Sequence, residues 1–317
     1  MIPFSKIKSH FTTVSAPKLK KRPTIGSHCL TTDFDQASWV IIGVGDDRGV
    51  KNNYGRPGAR KGPEAFRESF YAHSIAGVSP APGSIFDLGN LKLHKNLKVT
   101  LDYLKVAVHE IKTYDYNKKI LVVGGGHDIA YGEIGGCLQT SRSPREHHVI
   151  NIDAHSDVRP PEKGGMITSG TPFYRLVDED GFEPQNYHPF GVQRASNSRE
   201  LVEWMTLKNV EPVWLETMPG VQAQTAAFRD LLQAMEGKPW HFSIDMDGFP
   251  SSESPGVSAP GVFGVHSEIF LILESLKRSL ETLQSVGIYE IAPNYDESQK
   301  TQKLAAKLAY LLLSYTS

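Results

Sequence analysis

Two short runs place acidic and imidazole side chains at a spacing that suits metal ions: Asp153-Ala-His155-Ser-Asp157 and Asp245-Met-Asp247. Each follows an apolar run, Val149-Ile150-Asn151-Ile152 and Phe242-Ser243-Ile244, and reads as the end of a buried strand opening into a loop. Residues two apart in an extended chain point to one side. Asp153, His155 and Asp157 can therefore face one point, and so can Asp245 and Asp247. Burying four carboxylates with no counter-charge is very costly, and divalent ions remove that cost. A third piece is Gly124-Gly125-Gly126-His127-Asp128. Its glycines let the chain turn tightly and approach another group closely. It lacks the Lys-Ser/Thr of a P-loop and the spaced glycines of dinucleotide folds, so a ligand role for His127 fits better than a phosphate cradle.

The set is then His127, Asp153, His155, Asp157, Asp245 and Asp247, four carboxylates and two imidazoles. Oxygen-rich ligation with one imidazole per ion favours manganese over zinc, and two imidazoles disfavour calcium or magnesium. A pair of such ions sharing carboxylates activates water for hydrolysis. Taken singly, Asp153 suits a turn or helix cap, His155 a buried structural histidine, and Asp245 and Asp247 a loop. Three pieces at three strand ends favour the metal reading.

The elements that must position these groups alternate along the chain. Strands are expected at 39–44, 120–123, 149–152, 189–192, 210–214, 241–244 and 285–291, and helices at 63–73, 99–114, 129–138, 198–207, 221–235, 267–283 and 298–315. The strands are continuous apolar runs, as when helices cover both faces of a sheet. The pattern predicts an α/β fold: one domain of three layers, α/β/α, with a mainly parallel sheet. In such sheets ligands bind beyond the carboxyl ends of the strands, where His127, Asp153, Asp245 and Glu290 fall.

The 317 residues are 39% apolar and 22% charged, an ordinary globular balance. Residues 1–34 read as an N-terminal arm or irregular segment, with a basic, solvated stretch at 18–22, and 35–317 as the catalytic domain. A net charge of −1 gives no electrostatic basis for binding nucleic acid or a membrane surface. Cys29 and Cys137 form no disulfide framework and fit a reducing compartment, and Cys137 reads as a buried structural thiol. No signal-peptide core or membrane span stands out; residues 304–313 include Lys307 and read as a core or subunit-contact helix. The cytoplasm is the expected location.

The three signatures, in this order and spread over more than half the chain, resemble those of the ureohydrolase, or arginase–agmatinase, family. The resemblance implies an arginase-like fold and two Mn(II) ions per subunit. One ion would take His127, Asp153, Asp157 and Asp245, and the other Asp153, His155, Asp245 and Asp247. Glu290, in Gly287-Ile-Tyr-Glu290-Ile-Ala-Pro, matches the family glutamate that holds an amidine or guanidine. A carboxylate accepts two parallel N–H bonds from such a planar cation. The resemblance also implies a homo-oligomer, a trimer or hexamer.

Arginases and agmatinases carry a His-Gly-Met/Thr-Pro run. Here Ser169-Gly-Thr-Pro-Phe stands in its place, and serine cannot titrate near neutral pH as histidine does. This departure is similar to the formimidoylglutamase branch of the family. So are Asn53-Tyr-Gly-Arg56-Pro-Gly-Ala-Arg60-Lys-Gly-Pro and the Pro-Gly-Val-Ser-Ala run at 255–259. Arg159, two residues past Asp157, either contacts a substrate carboxylate or makes a loop salt bridge, and arginine matches a carboxylate bidentately. Arg56, Arg60 and Arg194 are weaker candidates for a second carboxylate. Ser169 either meets the substrate or shapes its loop. His147, His148, His188, His241 and His266 match no signature and suit surface or core positions.

The implied activity is dimanganese hydrolysis of N-formimidoyl-L-glutamate to L-glutamate and formamide, a step of histidine degradation. Asp157 and Glu290 are the candidate catalytic residues, and Arg159, Ser169 and Glu290 the candidate substrate contacts. The rival expectations are a guanidino-acid amidinohydrolase, of guanidinobutyrase or agmatinase type, and a metal-binding homologue without catalysis.

Overall fold

The computed structural model describes residues 2–15, 22–75 and 77–316; the basic residues 18–21 lie outside them. Nine strands form one sheet: β1 (Phe11–Thr12), β2 (Trp39–Val44), β3 (Ile85–Leu91), β4 (Lys119–Gly124), β5 (His148–Ile152), β6 (Tyr187–Val192), β7 (Val213–Trp214), β8 (Trp240–Asp245) and β9 (Leu283–Tyr289). Their order is β1-β3-β2-β4-β9-β8-β5-β6-β7. Every neighbouring pair is parallel except β1 with β3.

Strand side chains alternate between two apolar layers. In β2, Trp39 and Ile41 join the core that includes Phe66, Phe228 and Ala305, from helices Gly62–Tyr71, Gly220–Gln233 and Lys300–Tyr315. Val40, Ile42 and Val44 join the core beneath helices Leu97–Tyr114, Ala130–Leu138 and Pro172–Asp180. Both faces are covered, hence the unbroken apolar runs. Residues 304–313 lie in the first of these layers, with Ala305, Ala309 and Leu312 fully buried. No helix among the described residues is long and apolar enough to cross a membrane.

The register sets the position of the site. Val123 pairs with Ile288, Ile288 with Ile244, and Ile244 with Ile152. The carboxyl ends of β4, β9, β8 and β5 are therefore level, and the four loops that follow open at one edge.

Several elements differ from expectation. Within 1–34, a helix at Phe4–Ser9 and β1 replace the expected irregular arm. Ile7, Phe11 and Phe34 are buried, anchors hidden in sequence by the polar residues around them. β3 is not among the expected strands, since Asp87, Gly89 and Asn90 interrupt its apolar run; Arg67 satisfies Asp87 (2.8 Å) and Asn90 (2.6 Å). The expected helix at 267–283 is a 3-10 run, Ser267–Leu276, then a short helix, Lys277–Glu281. Its buried residues Phe270, Leu273 and Leu276 recur every three positions, the period of a 3-10 helix. The strand expected at 210–214 shortens to Val213–Trp214.

At the opposite ends of the strands four histidines form two stacked pairs. His147 Nδ1 lies 2.9 Å from His241 Nε2, and His148 Nδ1 lies 2.9 Å from His188 Nε2. Burial pushes His147, His148 and His188 down to about 4, and His241 well below its ordinary range. A histidine in the unfolded chain titrates near 6.5, so between these values the unfolded state binds more protons. Their contribution is complete above 6.5 and is lost as pH falls toward 4. The melting temperature is thus expected to drop from pH 7 to pH 5. The double variant His148→Gln/His188→Gln should show a shallower drop; superimposable profiles in a calorimetric titration would exclude the pair as a source of acid lability.

Candidate metal centre

The glycine turn after β4 carries His127 into the centre of the sheet edge. A Cβ on Gly125 would overlap the Asp46 carbonyl, so only glycine lets the two backbones meet. The Gly125 carbonyl accepts from Glu290 N (2.8 Å), tying this turn to the end of β9. The His127 ring stacks on Tyr289 (5.0 Å) and meets the edge of Phe173 (5.6 Å). Its Nε2 lies 2.7 Å from Ser243 Oγ.

The other imidazole nitrogen faces only carboxylates. His127 Nδ1 is 3.1 Å from Asp153 Oδ2, 2.9 Å from Asp157 Oδ2 and 3.0 Å from Asp245 Oδ2, yet makes no properly directed hydrogen bond. One N–H cannot serve three acceptors. In the tautomer whose Nε2–H donates to Ser243 Oγ, Nδ1 presents a lone pair, and four electron-rich atoms converge on one point. A second convergence lies beside it. His155 Nδ1 is 3.3 Å from Asp153 Oδ1 and 3.4 Å from Asp247 Oδ2. His127, Asp153, Asp157 and Asp245 form one group whose ligand atoms all lie within 4.8 Å of one another, and Asp153, His155 and Asp247 form a second. Asp153 is shared. Asp245 belongs to the first group through Oδ2, and its Oδ1 accepts from Asp247 N (2.8 Å).

Backbone contacts aim these carboxylates. Asp153 accepts from His155 N (2.7 Å) and from Asn151 Nδ2 (3.2 Å). Asn197, which no sequence signal singled out, accepts from Ser156 N (2.9 Å) and donates to Ala154 O (3.1 Å), pinning the loop after β5. Asp157 and Glu290 hold φ of 50° and 65°. Left-handed backbone is unfavourable for a side-chain-bearing residue and concentrates at functional sites.

Electrostatics point the same way. Burial and the Asp153 charge push Asp157 up to about 6. Burial and Asp153 raise Asp245; burial and Asp245 raise Asp247 well above the carboxylate range; burial, Asp245 and Asp247 do the same to Glu290. Burial opposes ionisation of Asp153 too, but His127 and His155 hold it low. Asp247 raises His155 well above its ordinary value, and Asp153, Asp157 and Asp245 raise His127 against its burial. Acids and bases alike are drawn toward added positive charge. The donor set therefore fits two divalent cations sharing Asp153.

A cavity of about 300 Å³ opens over the cluster. His155, Asp157, Asp245, Asp247 and Glu290 form its floor, and Asn53, Arg56, Arg159, Ser169 and Ser258 its walls. Of the arginines considered from sequence, Arg56 and Arg159 line it; Arg60 and Arg194 do not, and Arg194 stacks over Trp214 (4.4 Å). Arg159 donates through Nη1 to Asn53 Oδ1 (2.8 Å), a hydrogen bond to an amide and not a salt bridge. Arg56 binds the carbonyls of Ser258 (2.9 Å) and Val257 (2.8 Å). His147, His148, His188 and His241 are remote, and His266 pairs with Glu253 (3.0 Å). Both cysteines are buried and unpaired, with thiols pushed up to about 11 and 12 by burial, which makes them poor nucleophiles.

A level-ended parallel sheet with a dimetal-type His/Asp cluster in its terminal loops is the architecture of a metal-dependent hydrolase. Residues 37–314 match the arginase family, and the chain belongs to it. It is 31% identical over 308 residues to formimidoylglutamase of Staphylococcus epidermidis, covering 91% of this chain and 93% of that protein. A crystal structure of Trypanosoma cruzi formiminoglutamase with Mn2+ superposes with a TM-score of 0.81 at 27% identity, covering 93% of this chain and 98% of the other. The Bacillus subtilis formimidoylglutamase shares the fold, with a TM-score of 0.82 at 24% identity over 99% and 98% of the two chains.

Proposed function

We propose that this protein hydrolyses N-formimidoyl-L-glutamate to L-glutamate and formamide, using two Mn(II) ions. His127, Asp153, Asp157 and Asp245 would hold one ion, and Asp153, His155 and Asp247 the other. Such a pair supplies an activated water at neutral pH and stabilises charge that develops during attack. The observation that carries the substrate is the pair of arginines on the cavity walls. Arg159 uses Nη1 alone, and Arg56 Nη1 makes no hydrogen bond among the described residues. Both retain donors for a carboxylate, and the substrate has two. An amine-tailed substrate such as agmatine would meet repulsion there.

The remaining residues divide the work. Glu290 accepts N–H bonds from the amidinium at the reacting carbon. Asp157 orients the attacking water and takes up its proton. Asp157 returns that proton to the glutamate nitrogen as the C–N bond breaks, so the amine leaves as L-glutamate, the carbon leaves as formamide, and the carboxylate is restored. Ser169, half-buried in the wall, offers a hydroxyl but no titrating group near neutrality, which sets this site apart from guanidine-cleaving relatives with histidine there. The relatives named formimidoylglutamase support the same substrate. We further infer a homo-oligomer, trimer or hexamer, and residence in the cytoplasm, where two unpaired buried cysteines are stable.

The test is side-by-side turnover of N-formimidoyl-L-glutamate, guanidinobutyrate, arginine and agmatine by manganese-loaded protein. Formimidoyl-glutamate should be fastest, with formamide released, and metal analysis should give about two ions per chain. Faster urea release from a guanidino compound would overturn the substrate. Full activity with one tightly held zinc would overturn the metal assignment.

A further inference from the structure

Asn53 ends the short helix Arg48–Asn52, where its N–H bonds the carbonyls of Gly49 and Val50 (both 3.1 Å). Its neighbour Asn52 donates to Ile167 O (2.7 Å), and Gly49 O accepts from Ser169 N (3.0 Å), so this helix is fastened to the loop that carries Ser169. The Asn53 amide then acts twice. Nδ2 donates to Ser169 Oγ (3.1 Å), and Oδ1 accepts from Arg159 Nη1 (2.8 Å). Donor and acceptor are both engaged, which fixes the orientation of the amide. Arg159 is otherwise an exposed side chain with no other side-chain partner among the described residues. A free arginine loses considerable rotamer entropy when it grips a ligand.

Resting on the function proposed above, we propose that Asn53 is a positioning residue that holds Arg159 and Ser169 in place for the carboxylate-bearing end of the substrate. Its amide is matched to the task. It fixes the guanidinium through one Nη1 and leaves Nε and Nη2 for a carboxylate. Being neutral, it does not compensate the charge that the substrate must meet. An aspartate of the same shape would pair with Arg159 as a salt bridge, turn the Ser169 hydroxyl into the donor and repel the incoming carboxylate.

The test compares Asn53→Ala and Asn53→Asp in the metal-loaded enzyme, measuring formimidoyl-glutamate kinetics and calorimetric binding of L-glutamate. Asn53→Ala should raise KM and weaken L-glutamate binding about three- to tenfold, the range for one lost hydrogen bond, with kcat nearly unchanged. Asn53→Asp should be about tenfold worse again, although it is isosteric. In an Arg159→Ala background Asn53→Ala should have little further effect, since the two residues act as a unit, whereas Asn53→Asp should still weaken binding through its own charge. Metal content and melting temperature should match the wild type. An Asn53→Asp protein that binds as well as or better than Asn53→Ala would overturn the proposal, as would additive effects of Asn53→Ala and Arg159→Ala or no L-glutamate binding to the wild type. If the wild type binds L-glutamate in the predicted order of variants yet turns over another amidine faster, the substrate reading fails and the role of Asn53 stands.

Discussion

Asp245→Ala is expected to lose measurable turnover together with metal. Asp245 Oδ2 sits 3.0 Å from the His127 nitrogen that faces the first group of ligands, and Oδ1 is anchored by Asp247 N. Alanine therefore removes one of four donors and also frees the turn that carries Asp247. Lewis-acid assistance and an activated water contribute several kcal/mol, so a fall of about three orders of magnitude or more is the expected scale. A folding defect would give the same loss, but the two are separable. In the metal-free protein the four buried carboxylates repel one another, so deleting one should leave metal-free stability equal or higher. A bound ion stabilises the wild type by about 2.7 kcal/mol at a hundredfold excess over its dissociation constant. Manganese should thus raise the melting temperature of the wild type clearly and that of Asp245→Ala little. A variant with a normal manganese response and normal turnover would remove Asp245 from the ligand set.

Much of this site could be read before folding because its groups come in local runs. Asp153, His155 and Asp157 are separated by single residues, as are Asp245 and Asp247, and the apolar strands before them are unmistakable. β2 lies where its apolar run predicted, and β4, β5 and β8 extend theirs by only one or two residues. The failures share a cause. β3 contains Asp87 and Asn90, polar groups made tolerable inside the fold only by Arg67 from another element. Helix Pro172–Asp180 shows no apolar periodicity in sequence because half of it is polar, although its proline start and Gly181 end are ordinary signals. The bridge through Asn53 joins residues 106 and 116 positions away, so no local pattern could contain it. Asn197 is the same case. Groups that act through a neighbour in sequence are legible; groups that act through a neighbour in space are not.

Glu290→Gln should keep its metal and still lose about ten- to a hundredfold in kcat/KM, the range for one charge-assisted hydrogen bond at 1.5–3 kcal/mol. Glu290 belongs to neither ligand group. Its Oε1 accepts from His127 N (3.3 Å), while Oε2 is buried without a partner and the residue lines the cavity floor. An unpaired carboxylate oxygen in a buried site is costly, and a planar amidinium relieves that cost through two N–H bonds. Glutamine keeps the size but has one acceptor and no charge. Inhibition by guanidinium ion should therefore weaken in parallel with kcat/KM, while binding of L-glutamate, which lacks the amidine, should be nearly unaffected. The backbone supplies an independent check. Glu290 holds φ of 65°, a conformation that costs a side-chain-bearing residue about 1–3 kcal/mol and glycine very little. Glu290→Gly should consequently raise the melting temperature while abolishing turnover, since both the strain and the unpaired carboxylate disappear. Undiminished kcat/KM in Glu290→Gln, or equal weakening of guanidinium and L-glutamate, would show that Glu290 shapes the turn after β9 and does not grip the reacting group.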